Sequence, residues 1–410
     1  MSQPTNPTDA IIPAPADPPR ATLPSVVSGP TQTPVPRVGV LCIHPAPYRD
    51  PVYRELAKRG HIQLLVMVLY SLDRGHREWE LSPPDYPHMY LGHRLPPGKS
   101  EYIPWGILST LRHAKFDVLV VPGYRRPATM LAIVYALWTR TPLIIEADSI
   151  RCLQPDRGWK RAVLRWLFRR AAALRVPGQA AREYMESYGA PPAKVCEGAY
   201  CLDVHALRQA IDRCRPERTA WRQTHGIPDD AFVFLTVANM IPSRRHQLLC
   251  QVLLRLAPET RAHLVIVGSG AERDTLRRLA QADAGGRIHI LDPVPFDQLP
   301  ILYAGSDAYV HSGTEPFATA MEIAALAGMP IVATDRIGYV DDLRVRGAAP
   351  LLSNLDDADA LYANMARLLA DPPLRADLGQ RAQRAALTRT PPWAAEQLER
   401  TVLAIRHADA

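Results

Sequence analysis

Short runs of residues that are apolar at nearly every position recur along this chain, each followed by a stretch with helical spacing. Val38-Gly-Val-Leu-Cys-Ile43 is the first, and Gln63-Leu-Leu-Val-Met-Val-Leu-Tyr70, Asp117-Val-Leu-Val-Val-Pro122 and Pro142-Leu-Ile-Ile-Glu146 continue the series. A strand without a polar face must be covered on both sides. Such strands alternating with helices predict a parallel sheet between two helical layers. Helical spacing through Val52, Leu56 and Ala57, and again from Thr129 to Trp138, supplies part of that cover. The pattern restarts after residue 230, with predicted strands at 233–237, 263–267, 288–291, 308–311 and 330–333. Helices are expected between them, at 247–256, 272–280, 299–304 and 319–326, with three more beyond residue 360. The fold class predicted is α/β, with two doubly wound parallel sheets end to end. At 410 residues the chain exceeds the size at which a single core stops growing.

Composition marks the boundaries. Residues 1–36 carry ten prolines and few large apolar side chains. They bury too little surface to offset the entropy of ordering, and a disordered tail is expected. The first sheet unit is placed at 37–205, an Arg-rich polar linker at 206–228, the second unit at 229–385 and a terminal helix at 386–410. No run approaches the length of a membrane span, and no basic patch precedes an apolar leader. Six cysteines without a CxxC pair argue against a zinc ribbon and for a reducing, cytoplasmic setting. A net charge of +7 suits phosphate-bearing substrates or an anionic membrane surface and does not call for nucleic acid.

Ligands of open parallel sheets sit beyond the carboxyl ends of the strands, so chemistry is sought in those loops. The richest is His311-Ser-Gly-Thr-Glu-Pro-Phe-Ala-Thr319. Glu315 there either faces a ligand or caps its own helix. The amides around Phe317, Ala318 and Thr319 would offer free N–H groups to an anion or to sugar hydroxyls. In the first unit, His44, Tyr48, Arg49 and Asp50 follow one strand; Tyr124, Arg125 and Arg126 follow another; Asp148 and Ser149 follow a third. Position makes them candidates, although each could equally serve its own loop. The pairs Asp341-Asp342 and Asp356-Asp357 are read as solvated surface, and no metal site is expected. Lys160-Arg-Ala-Val-Leu-Arg-Trp-Leu-Phe-Arg-Arg170 has no acidic residue. Val163, Trp166, Leu167 and Ala171 share one helical stripe, and Arg161, Arg165 and Arg169 another. Residues 158–175 would therefore either lie on an anionic bilayer or pack that stripe on the first unit.

Several of these segments carry a resemblance. Glu315-Pro-Phe followed by Ala327-Gly-Met-Pro-Ile-Val-Ala-Thr-Asp335 resembles the donor-site region of family 4 glycosyltransferases, of the group 1 type. Val237-Ala-Asn-Met-Ile-Pro-Ser-Arg-Arg245 resembles that family's Gly-Arg-Leu-x-x-x-Lys loop, and Leu264-Val-Ile-Val-Gly-Ser-Gly-Ala-Glu272 its Gly-x-Gly-x-Glu loop. The likeness runs in order over about residues 230–345. His44-Pro-Ala-Pro-Tyr-Arg-Asp-Pro51, His76-Arg-Glu-Trp79 and Val121-Pro-Gly-Tyr124 are similar to bacterial members that build surface polysaccharides.

The resemblance implies a GT-B architecture, two Rossmann-like domains facing a central cleft. It implies a retaining, metal-independent transferase with a UDP- or GDP-linked sugar as substrate and no separate cofactor. The acceptor would be a glycan or a lipid-linked molecule, met at the inner face of the plasma membrane. By position, Glu315 would contact the sugar near its anomeric carbon, Phe317, Ala318 and Thr319 its hydroxyls, and Arg244, aided by Arg245, the diphosphate. Val294 would meet the base, Gly268 and Gly270 would let the chain turn near the nucleotide, and Glu322 is a further donor-side candidate. A terminal helix returning to the first domain is also implied.

Departures from the pattern are as informative. Six residues, not the family's seven, separate Glu315 from Glu322, so Ile323 takes the position of the ribose-binding carboxylate. Asn239 stands where a diphosphate-binding arginine is common, and Ala46-Pro47 where paired glycines are. Gly123-Tyr124 stands near the place of a cleft histidine. Two readings follow: an active transferase with altered donor contacts, or a non-catalytic GT-B scaffold serving as a partner subunit.

Overall fold

The computed structural model describes residues 34–69, 84–91, 106–151, 158–348 and 350–409. All but the last three residues of the Pro-rich tail, the His76–Trp79 motif and Cys152 lie outside them.

The first lobe runs β1 (Arg37–Cys42), α1 (Asp50–Arg59), β2 (Gln63–Val68), β3 (His88–Tyr90), α2 (Ile107–Ala114), β4 (Val118–Pro122), α3 (Pro127–Thr139), β5 (Leu143–Glu146), α4 (Gly158–Arg170), β6 (Ala173–Val176), α5 (Gln179–Ser187) and β7 (Val195–Glu197). Two helices follow, α6 (Val204–Cys214) and α7 (Arg218–Thr224). The second lobe then runs β8 (Phe232–Val237), α8 (His246–Arg255), β9 (Ala262–Val267), α9 (Arg273–Ala282), β10 (Ile288–Leu291), α10 (Leu299–Gly305), β11 (Ala308–His311), α11 (Thr319–Leu326), β12 (Ile331–Thr334), α12 (Gly338–Val345) and β13 (Leu351–Ser353). Helices α13 (Ala358–Ala370), α14 (Pro372–Ala386) and α15 (Pro391–Asp409) end the chain.

The strands form two parallel sheets, ordered β3-β2-β1-β4-β5-β6-β7 and β10-β9-β8-β11-β12-β13. In each, the order reverses beside the first strand, between β1 and β4 and between β8 and β11. At such a reversal the crossover helices leave opposite faces and a crevice opens.

Four strands escaped the sequence reading. Short β3 and β13 carry no apolar run, and β7 is Val-Cys-Glu. In β6 an arginine hides the pattern: Arg175 is fully buried, bonded to Glu146 of β5 and to the carbonyl of Ala394.

The segment read as a linker is mostly helix. Val204, Leu207, Ile211 and Trp221 belong to the second lobe's core. Some of its arginines are structural. Buried Arg222 donates to the carbonyls of Gly305, Asp229 and Ala231 and pairs with Asp307, which Arg218 also holds. The terminal helix does return. Ala394, Ala395, Leu398 and Val402 of α15 pack in the first-lobe core with Val38, Val40 and Leu56. Asp342, expected at the surface, is buried against Arg389.

Candidate functional site

Two adjoining cavities occupy the sheet reversals. The first, about 280 Å³, lies between the lobes. Val237 reaches it from the end of β8, Asn239 and Arg244 from the loop that follows, Val267 and Gly268 from the end of β9, and Pro293 and Val294 from beyond β10. Glu315 to Ala318 come from the β11–α11 loop, Thr319 and Ala320 from the first turn of α11, and Tyr48, Asp148 and Tyr200 from the first lobe. The second cavity, about 340 Å³, belongs mainly to the first lobe and shares Tyr48, Asp148, Tyr200 and Pro316 with its neighbour.

Close backbone approach builds the first cavity. The β11–α11 loop lies on the β8–α8 loop: Thr314 N–H donates to the Ser243 carbonyl, and the Ser312 hydroxyl to those of Arg244 and Arg245. A Cβ on Gly313 would overlap the backbone of Ser243 and Arg244. Gly268 and Gly270 have positive φ, and side chains there would strike the carbonyls of Ala238 and Met240. These glycines thus pack loop against loop, beyond the role expected of them beside a nucleotide. Glu315 is pinned at the backbone too. Its N–H donates to Arg336, its carbonyl accepts from Gly338, and Gly338 has no room for a Cβ against Pro316.

The Glu315 carboxylate lies between two donors. Arg244 Nη2 is 3.2 Å from Oε1, and His311 Nε2 is 3.2 Å from Oε2. Gly313 N–H donates to His311 Nδ1 at 3.1 Å, so the Nε2 proton faces Glu315. Burial alone would raise this carboxyl's pKa. The His311 hydrogen bond and the positive charge of Arg244 outweigh it and hold Glu315 below its ordinary value. Arg244 also donates to the Thr314 carbonyl, and its Nε has no acceptor among the described residues. At the start of α11, Ala318 adopts φ +64° and caps nothing with its side chain. The amides of Phe317, Ala318, Thr319 and Ala320 have no acceptor among the described residues. A carboxylate, a guanidinium and four available N–H groups therefore meet on one wall, while Val267, Pro293, Val294, Leu299 and Ile323 make another part apolar.

Asn239, Arg244, Gly268, Val294, Glu315, Phe317, Ala318 and Thr319 all line this cavity. Arg245, Gly270 and Glu322 do not. Arg245, with a left-handed backbone, pairs with Asp356. Glu322 is fully buried on the other side of α11, 3.6 Å from Arg389, while Ile323 forms the cavity wall. One residue on a helix is a rotation of about 100°, and that rotation separates the two.

His44, Tyr48, Arg49, Tyr124 and Asp148 line the second cavity, with Arg125 and Arg126. Asp50 does not. It accepts from the Tyr86 hydroxyl at 2.8 Å and the Ala46 amide at 3.2 Å, and burial raises its pKa. Tyr200, which the sequence reading missed, joins both spaces. Its hydroxyl donates to Asp148 at 3.0 Å, its ring lies 4.8 Å from that of Tyr48 and 5.8 Å from that of Phe317, and Arg49 stacks over it. Its signal was its place after β7, a strand too short to recognise. Among the described residues no three His, Cys, Asp or Glu gather as metal ligands would.

Two Rossmann-like lobes with a site at facing sheet reversals define the GT-B class. Residues 217–385 match the family of glycosyl transferases group 1, and residues 45–197 match the glycosyl transferase 4-like domain, so the chain belongs to these glycosyltransferases. It is 31% identical over 221 residues to D-inositol 3-phosphate glycosyltransferase 2 of Catenulispora acidiphila, covering 50% of this chain and 49% of that protein. It is 26% identical over 189 residues to N-acetyl-alpha-D-glucosaminyl L-malate synthase of Bacillus anthracis, covering 44% and 48%. The matched part thus spans about half the length of these curated relatives. The structure of Anabaena HepE in complex with UDP shares the fold, with TM-score 0.68 and 18% identity over 90% of this chain and 100% of that one.

Proposed function

We propose that this chain is a retaining glycosyltransferase that takes a nucleotide diphosphate sugar in the first cavity and passes the sugar to an acceptor in the second. The observation that carries the reading is the junction of Arg244, Glu315 and the available amides of α11 on one cavity wall. In the reaction the bond between the anomeric carbon and the leaving phosphate oxygen breaks. The acceptor oxygen bonds to that carbon on the same face, and its proton passes to the departing phosphate. Negative charge grows on the diphosphate, where Arg244 and preorganised amides stabilise it. Glu315, kept ionised and oriented by His311, faces the sugar. The apolar wall around Val294 takes the base of a UDP- or GDP-linked donor.

The acceptor is a glycan or a lipid-linked molecule, consistent with a role in bacterial polysaccharide or glycoconjugate synthesis on the cytoplasmic face of the membrane. Arg49, Arg125 and Arg126 on the second cavity favour an acceptor with a phosphate or carboxylate. The relatives named for inositol 3-phosphate and L-malate point the same way.

A thermal-shift screen with UDP, GDP, ADP and their common sugars tests the donor site. Saturation at about 100 times the dissociation constant adds roughly 2.7 kcal/mol of stability. A shift with one nucleotide, lost in Arg244→Ala, is expected. The second reading, a scaffold without donor binding, is favoured by Ile323 on the wall and by Glu322 held at Arg389. A folded protein that no nucleotide shifts would decide for it.

A further inference from the structure

One face of the first lobe carries two exposed apolar stripes. On α3, Met130, Val134 and Trp138 stand four residues apart; all are more than half exposed, Trp138 at 74%. On α4, Trp159, Val163 and Trp166 repeat the pattern, Trp159 at 68%. Both helices already bury an opposite face: Ala128, Ala132, Ile133 and Ala136 in α3, and Leu164, Leu167 and Phe168 in α4. The stripe expected from sequence therefore divides, with Leu167 turned inward and Val163 and Trp166 outward.

The two helices lie on the same side of the sheet. α3 joins β4 to β5 and α4 joins β5 to β6, each step moving the same way across the strand order, and right-handed crossovers put such helices on one face. Single exposed apolar residues need no explanation, but six on two such helices, three of them tryptophan, mark a contact surface. Charge selects the contact. Neither helix holds an acidic residue, whereas α4 brings Lys160, Arg161, Arg165, Arg169 and Arg170, and Arg140 follows α3. Tryptophan, valine and methionine bordered by cations match the interface of a bilayer with anionic headgroups. Helix α3 also begins at the sheet edge on which the second cavity opens, directly after Arg126 of its lining.

We propose that α3 and α4 form a docking face for an anionic lipid bilayer. Docking needs neither donor nor turnover, so it stands or falls apart from the transferase reading.

The test is co-sedimentation of the full chain with vesicles containing phosphatidylglycerol and with vesicles of phosphatidylcholine alone. The wild type is expected to pellet with the first and not the second. Changing Trp138, Trp159 and Trp166 together to serine, or Arg165, Arg169 and Arg170 together to serine, should weaken partitioning at least about tenfold. In the wild type, brominated anionic lipid should quench tryptophan emission, a readout that needs no variant to fold. Equal binding by wild type and both variants, or no quenching, overturns the proposal. So does a wild type that ignores vesicles but sediments as a dimer that the tryptophan variant dissociates, since the face then belongs to a second copy.

Discussion

Glu322 and Ile323 are neighbours in the chain and occupy opposite worlds. Ile323 meets the cavity, while both Glu322 oxygens are buried without a hydrogen-bond partner among the described residues. Burial, with Asp342 adding and Arg389 opposing, raises Glu322 to about 7, and burial raises Asp342 to about 6. A raised carboxyl keeps in the native state a proton that the unfolded chain has released. Its stability contribution is complete below about 4.5 and fades as pH rises towards about 7. His246 acts in the opposite sense. Both ring nitrogens lack hydrogen-bond partners among the described residues and burial lowers it to about 3, so acid below 6.5 favours the unfolded chain. The slopes oppose each other, and only a difference isolates Glu322. In urea melts, Glu322→Gln should match the wild type near pH 4.5 and gain on it with rising pH, by a few kcal/mol at pH 8. Parallel curves would mean that Glu322 is ionised throughout. On the cavity side, Glu315→Gln should lower the turnover number about a hundredfold or more while leaving the affinity for free nucleotide nearly unchanged. A matching loss of nucleotide affinity would place Glu315 on the diphosphate instead.

At the scale of elements, strand ends set the site by contact between loops. Gly338→Ala would force the α12 start away from Pro316 and shift the Glu315 loop. A cost of about 1–3 kcal/mol is expected, with a weaker nucleotide-induced thermal shift. An unchanged melting temperature would show that the two loops separate freely. Ala318 is the converse case. Its φ of +64° strains a residue with a Cβ, so Ala318→Gly should be neutral or stabilise by up to about 1 kcal/mol, read from denaturant midpoints. A clear loss of stability would mean that the Ala318 methyl packs for more than its backbone costs.

The two lobes are tied by the end of the chain. Fully buried Arg389 donates to the carbonyls of Pro177 and Tyr200 in the first lobe and pairs with Asp342 in the second. Its guanidinium also stacks 5.2 Å from the Phe317 ring centre, on the donor-side loop. Beyond it, α15 fills the first-lobe core, and Glu399 takes both Arg59 and His61. A chain ending at Thr390 should lose amide protection in β1 and β2 while β8 and β9 keep theirs, as hydrogen exchange would report. Retained protection in β1 would mean that the first lobe folds without α15.

Local pattern determined much of this protein. Apolar strands such as 263–267, helical spacing and the Glu315 loop were legible because burial on both faces and a strand-to-helix turn leave their mark in adjacent residues. Family resemblance added the return of the last helix. What tertiary structure alone decided involves partners far apart in sequence. Arg175 completes a strand because Glu146 balances its charge and the Ala394 carbonyl accepts its hydrogen bond, and the Arg-rich segment before β8 is core because Asp307 and distant carbonyls take its buried guanidinium. Tyr200 reaches the cleft only when β7 stands at the sheet edge, and Arg389 becomes interior only when both lobes supply acceptors. Apolar periodicity is written locally. The compensation of a buried charge is written in its partners, and only the folded chain brings those together.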